Sequence, residues 1–229
     1  MSSDGVVLLR CGNCGRNLSG LPDDVLYLCP QCCLVWQLNG DGMAPVAIET
    51  VAPSQIAGCV YLPFWMVDAD IEVSRKILRP LESSSLVESP KEFDPGAPGL
   101  DEEPAWKARE TLMIPAFNTD RALSVGRLVT DMHPSLRWST DCPRRLDGGC
   151  IDLDEALRVA PGIVLAAEAS KPGHLAYAQV VVSPLHSRIA AVPFTTGKGG
   201  FSVAGARLVL PYNSVADARA ILEIAGSSF

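Results

Sequence analysis

Four of the eight cysteines in this 229-residue chain fall into two pairs of identical spacing, Cys11-Gly12-Asn13-Cys14 and Cys29-Pro30-Gln31-Cys32, separated by 14 residues. Two residues between cysteines let the chain turn back so that both thiolates reach one ion. A hairpin between the pairs then brings the two knuckles together as a tetrahedral cage of four sulfurs. In a reducing compartment this arrangement reads as metal ligation rather than as a disulfide framework. Gly12 and Gly15 permit the tight, partly left-handed backbone in which amide N–H groups point at sulfur. The expected ligands are Cys11, Cys14, Cys29 and Cys32. Cys33, next in the chain, competes for the fourth place, and the matching spacing of the two knuckles favours Cys32.

The two knuckles and the hairpin between them, residues 8–38, resemble the zinc-ribbon family. That resemblance implies structural Zn2+ held by Cys11, Cys14, Cys29 and Cys32, with Cys33 standing where such ribbons place glycine. Iron is the competing metal. Leu21-Pro22-Asp23-Asp24 ahead of Cys29-Pro30 is similar to the approach to the second knuckle in rubredoxins, whose ligands are also two C-x2-C pairs. Arg16, however, occupies the place of the aromatic that follows the first rubredoxin knuckle, and glycine is missing after the second. Such features tune and shield an iron centre, so their absence favours zinc. Attachment of a c-type haem is excluded, because neither pair is followed by histidine.

A closed four-sulfur site offers no open coordination position, so its ion neither activates water nor polarises a substrate; its work is to fold a unit too small to fold alone. Residues 1–40 carry Arg10 and Arg16 against Asp4, Asp23 and Asp24. Four thiolates around Zn2+ bring that region to about −3. Phosphate neutralisation needs clustered lysine and arginine, so a protein partner is expected and nucleic acid is not.

The ten residues Met1 to Arg10 lack the basic start and long apolar stretch of a secretory signal. The longest mostly apolar run, Ile56 to Val67, is interrupted by Pro63 and falls short of a bilayer span. A cytoplasmic protein with no transmembrane segment is expected. Net charge is −7, and it is unevenly spread: residues 1–103 hold 6 basic and 15 acidic side chains, residues 104–229 hold 13 and 11. Residues 82–103 alone place seven acids against one lysine among serines, prolines and glycines. Such a stretch cannot bury enough apolar area to offset its ordering entropy, and a solvated, disordered insertion over 82–104 is expected.

The pattern divides the chain into a ribbon (1–40), a connector (41–54) and an α+β body (55–229) with a mixed or antiparallel sheet and a few helices. Replacing Cys14 with serine is on this view expected to unfold residues 8–38 and leave the body cooperative. Strands are predicted at Gly58–Val67, Thr111–Phe117, Leu175–Ser183, Ile189–Phe194 and Phe201–Leu210. Helices are predicted through Arg121–Val129, capped by Asn118 or Thr119, through Glu155–Val159, capped by Asp152 or Asp154, and through Val215–Ala225, capped by Asn213 or Ser214. Four strand ends repeat an aliphatic-proline-aromatic pattern, at Leu62-Pro63-Phe64, Ile114-Pro115-Ala116-Phe117, Val192-Pro193-Phe194 and Leu210-Pro211-Tyr212. Proline belongs at strand ends, and the aromatic either tucks under the sheet or is presented to a partner.

Weaker constellations remain. His133, Cys142 and Cys150 offer soft ligands at spacings that match no knuckle. Arg137, Arg144 and Arg145 beside Trp138 offer a cationic loop. Asp68, Asp70 and Glu72 alternate along one strand and share a face, which ordinarily means a wet sheet surface. The loop Thr195–Gly200 fails as a phosphate-binding loop and reads as a hairpin turn. His174 and His186 follow turn-like sequences, and no histidine sits in a nucleophile or zinc-protease motif. A non-enzymatic interaction or assembly subunit is therefore expected, docking through the ribbon and the aromatic ends of the sheet. A rubredoxin-like electron carrier and a nucleic-acid-binding regulator are the alternatives.

Overall fold

The computed structural model describes residues 9–53, 59–78, 100–171, 174–197, 199–203, 209–216 and 218–224. Three strands, β1 (Leu26–Cys29), β2 (Leu34–Asn39) and β3 (Gly42–Val46), form an antiparallel meander. A second sheet contains β4 (Ile48–Val51), β5 (Cys59–Leu78), β6 (Leu100–Pro115), β7 (Trp138–Ser139), β8 (His174–Gly197), β9 (Gly200–Val203) and β10 (Val209–Pro211). Strand β8 is its spine. One edge pairs with β5 from His174 to Thr195, and β6 lies beyond β5; the other edge meets β4 at Ile189–Ala191 and β9 at Phe194–Gly197. Among the described residues only β4 against β8 is parallel, so the sheet is mixed, and with helices α1 (Ala122–Met132), α2 (Leu153–Ala169) and α3 (Ala218–Ile224) the chain is α+β.

The alternation of β5 explains why helices cover both faces. Val60, Leu62, Phe64 and Met66 point into one core, completed by Val125 and Val129 of α1 and by Ala218, Ile221 and Leu222 of α3. Trp65, Val67, Ala69, Ile71 and Val73 point into the other, covered by Ala156, Ala160, Ile163 and Val164 of α2. The second core has a further wall. Leu26 and Leu28 of β1 and Val35 of β2 pack into it, and the amides of Val25 and Leu26 both donate to the carbonyl of Gly149. Ribbon and body thus share one apolar interior. The stretch 41–54, expected as a connector, carries β3 and β4, the latter inside the large sheet. Of the acidic insertion expected over 82–104, residues 82–99 lie outside the described residues, and the backbone of 100–104 begins β6.

The three predicted helices are found, with different bounds. The Asp152 side chain caps α2 by accepting the Glu155 amide at 2.8 Å. The helix then runs on through Pro161 to Ala169, ten residues past the expected end at Val159. Proline forfeits one backbone hydrogen bond, and burial of Ala156, Ala160, Ile163 and Val164 against the sheet outweighs it. Thr119 receives the Arg121 amide at 3.2 Å ahead of α1, while α3 starts at Ala218, after a 3-10 turn at Tyr212–Ser214.

Strands Leu175–Ser183 and Ile189–Phe194, predicted as separate, are one continuous β8. The intervening Ser183-Pro184-Leu185-His186 is not a turn: Asp68 pairs with His186 and Ala69 with Pro184, leaving Leu185 as the extra residue of a bulge. A bulge is where a sheet tolerates proline, because no ladder hydrogen bond is asked of it there. The predicted Phe201–Leu210 strand is seen as β9 and β10, paired antiparallel, with 204–208 outside the described residues. Strands β8 and β9 pair antiparallel with Gly197 opposite Gly200, and Lys198 lies outside the described residues.

Three of the four proline-aromatic ends converge. Phe64 stacks parallel to Phe194 with centroids 6.2 Å apart, and Phe117 meets both edge-on at 5.5 and 6.5 Å. All three rings are buried, and Tyr212 of the fourth end lies edge-on to buried Phe201 at 5.0 Å. These aromatics fasten the core, so the docking surface expected at Phe64, Phe117 and Phe194 does not exist.

Candidate metal centre

The cluster sits on the outer face of the ribbon sheet. Alternation sends Tyr27, Cys29 and Trp36 to that face, while Leu26, Leu28 and Val35 face the body. The sulfurs of Cys11, Cys14, Cys29 and Cys32 all lie within 4.8 Å of one another. The Cys11–Cys32 and Cys14–Cys29 pairs are 3.9 and 3.6 Å apart. Tetrahedral geometry with bonds of about 2.3 Å to the metal requires neighbouring sulfurs about 3.8 Å apart, so the four residues present fit a single tetrahedral ion. They can hold a metal.

The two knuckles are built alike. Cys11 Sγ receives the amides of Cys14 and Asn13, and Cys29 Sγ those of Cys32 and Gln31. Each knuckle then turns through a left-handed residue directly after its second cysteine: Gly15 at φ 71° and Cys33 at φ 51°. Gly12 has a different role from the one expected. A Cβ there would come within 2.5 Å of the Trp36 ring, so the missing side chain lets the indole lie over the first knuckle. Tyr27, Leu18 and Trp36 dry the inner side, while residues 12–17 are exposed.

Burial opposes ionisation of Cys11, but the amides of Cys14 and Asn13 and the thiols of Cys29 and Cys14 outweigh it and bring Cys11 down to about 6. Cys32 is pushed up to about 12, first by the Cys14 thiol. Burial also raises Cys29. The metal-free cluster thus favours the thiolate at Cys11 and the thiol at Cys29 and Cys32, whereas a bound dication would favour thiolates.

Cys33 is not among the clustered sulfurs. Cys142 Sγ lies 3.5 Å from the Pro143 carbonyl, and burial, with a smaller push from the Cys33 thiol, raises Cys142 to about 12. A non-glycine residue in the left-handed region costs about 1 kcal/mol. Cys33→Gly should therefore fold, keep its metal and gain up to about 1 kcal/mol in urea unfolding of the metal-loaded chain. A loss of comparable size would mean that the Cys33 side chain contributes more than the strain costs.

The other sequence candidates separate in space. His133 packs on Trp138, with centroids 5.6 Å apart, so His133 and Cys142 form no common site; among the described residues the four-cysteine group is the one cluster suited to a metal. Arg145 is paired with Asp147, whose burial pushes its carboxyl up to about 6 against the pull of that arginine. Arg137 and Arg144 are exposed. Asp68, Asp70 and Glu72 do share a face of β5, and each carboxylate finds a cation on a neighbouring strand. Arg188 lies 2.7 Å from Asp68, Arg109 2.9 Å from Asp70, and Lys107 2.7 Å from Glu72. Sequence reading missed the knot around Arg188, which also reaches Glu49 at 2.6 Å and holds His133 below its usual range together with burial. Its members come from β4, β5, β8 and the turn after α1, and no local spacing signals it.

Among the described residues no helix is long and apolar enough to cross a membrane. Comparisons with family models, curated proteins and solved structures found no match for this chain.

Proposed function

We propose that Cys11, Cys14, Cys29 and Cys32 hold one structural Zn2+ in a zinc ribbon, and that the chain is a non-enzymatic cytoplasmic interaction or assembly subunit. The observation that carries this reading is the clustering of four sulfurs within 4.8 Å of one another, two pairs at 3.6 and 3.9 Å, so that an ion among them would have all four coordination positions filled by protein. Such a closed site stabilises structure and offers nothing to a substrate. The knuckle tip, residues 12–17, is exposed and is held in one shape by the ion, which favours it as the docking element. Two arginines in the ribbon are too few for a phosphate backbone, so the partner is a protein.

Protein purified under reducing conditions should be colourless and contain one zinc per chain. A protein that co-purifies with the intact chain should be lost with Arg16→Glu while zinc content is unchanged. A shift of nucleic acid at low salt that Arg16→Glu reverses would replace the protein partner with nucleic acid and make the chain a nucleic-acid-binding regulator. Trp36 over the first knuckle favours a second reading, a rubredoxin-like iron site, by supplying the aromatic shield that Arg16 does not. A red preparation with thiolate-to-iron charge-transfer absorption would establish that reading instead.

A further inference from the structure

Near the C-terminal end of α2, that helix, α1 and the outer strand β6 enclose a cleft of about 200 Å3. Strand alternation turns Trp106, Glu110 and Leu112 toward it, and Ile163, Val164 and Ala167 of α2 make its apolar wall. Glu168, which also lines the cleft, is only 2% exposed. The Lys171 ammonium is ion-paired with Glu168 Oε1 and lies over the Trp106 ring, 5.3 Å from its centroid. An aromatic face with a desolvated carboxylate beside it is the chemistry that recognises an ammonium ion. The Trp106 Nε1–H is buried and meets no acceptor among the described residues, so the ring is seated by its face and not by its polar edge.

Charge points the same way. The carbonyls that end α2 carry the negative pole of the helix dipole. Arg127, the other cation of the lining, is already engaged, 3.6 Å from Asp131 and 3.2 Å from the Ala166 carbonyl. Glu110 is exposed and has no ion pair among the described residues. Arg75 holds Oε2 of Glu168 at 3.2 Å, which leaves Oε1 to the Lys171 ammonium. Lys171 lies beyond the end of α2 with its side chain 45% exposed, so another cation can exchange with it.

We propose that this cleft binds a small alkylammonium ion, whose charged head replaces the Lys171 ammonium over Trp106 and beside Glu168 while its alkyl part lies on Leu112, Ile163 and Ala167. Lys171 stands in for that head in the free protein and competes with it. The volume is below the range of about 300–1,000 Å3 that drug-sized ligands occupy, which limits the ligand to a few carbon atoms around the charge. The site does not depend on which ion the ribbon cysteines hold.

The test uses the full chain with its metal, labelled with 15N and titrated with butylammonium chloride. The indole N–H signals are read by NMR, and Trp106→Phe identifies the one from Trp106. A saturable displacement of that signal is expected, with none from sodium chloride at equal ionic strength and none from butanol. Lys171→Ala removes the internal competitor and should tighten binding about fivefold. Glu110→Gln should weaken it about twofold. Both changes lie on side chains that are largely in solvent and leave Arg75 on Glu168, and the amide spectrum of each variant verifies its fold. An unmoved Trp106 signal, in the natural chain and in Lys171→Ala alike, would overturn the proposal. So would an equal response to butanol or to sodium chloride, or binding that Lys171→Ala weakens. Metal content is measured separately, so failure here and failure of the zinc assignment are distinguishable.

Discussion

A Cys29→Ser chain should bind its metal far more weakly and lose on the order of 5 kcal/mol of stability, a large share of what a domain of this kind has. Cys29 is fully buried, bonded by the Cys32 and Gln31 amides, and anchored at the end of β1, so a shorter, poorly ionised oxygen there cannot complete the cage. The residual site has three sulfurs that repel one another when charged and compete for protons when the ion leaves. The packing dictates how far the damage spreads. Tyr27, Cys29 and Trp36 line one side of the meander and Leu26, Leu28 and Val35 the other, so opening the metal side loosens residues that wall the core beneath Trp65 and Leu146. One broad transition of the whole chain at lowered temperature is therefore expected, in place of the separate ribbon melting that the sequence predicts for Cys14→Ser. Hydrogen exchange checks it: the Val25 and Leu26 amides, bonded to Gly149, should lose protection together with those of β5 and β8. Loss of protection confined to residues 9–38 would show that the ribbon opens alone. Chelation should mimic the substitution. Because every sulfur must be deprotonated to bind, metal affinity should fall as pH falls.

The legible parts of this chain are those whose physics is local. Two thiols three positions apart and a left-handed residue after them make a knuckle whatever surrounds them, and the four cysteines whose sulfurs cluster could be named from spacing alone. The Asp152 cap and the alternation of Asp68, Asp70 and Glu72 are local in the same sense. What could not be read is set by pairing over long separations. Arg188 reaches Asp68 across 120 positions, and Arg75 reaches buried Glu168 at 3.2 Å across 93. Glu168 is also bonded by Lys171, so an acid in the last turn of α2, where helix dipole and burial both oppose it, is held between two cations. The fusion of two predicted strands into β8 was hidden by Pro184, which marks a break in an isolated strand and a bulge in a paired one. Alternation placed Leu26, Leu28 and Val35 on a common face. It could not say that the facing surface is the core of the body.

Phe194→Ala should cost about 4 kcal/mol in urea unfolding. The ring is fully buried, lies parallel to Phe64 at 6.2 Å and takes the edge of Phe117 at 6.5 Å. It joins β8 to β5 and to the segment after β6 at a point where prolines 63, 115 and 193 deprive the ladder of amide donors. Side-chain packing thus carries the junction that backbone hydrogen bonds cannot. Truncation removes the buried apolar surface and leaves a cavity walled by Phe64, Phe117 and neighbouring core residues, which close-packed strands cannot collapse to fill. Tyr177→Ala, on the same strand but 42% exposed, should change stability by less than about 1 kcal/mol, so the contrast isolates burial from strand propensity. The double variant Phe64→Ala, Phe194→Ala should be less destabilising than the two single costs combined, by about 1 kcal/mol, because the stacking contact is lost only once. Near-neutral stability of Phe194→Ala, accompanied by loss of a bound partner, would instead mean that the ring is presented outward and that the aromatic ends serve docking.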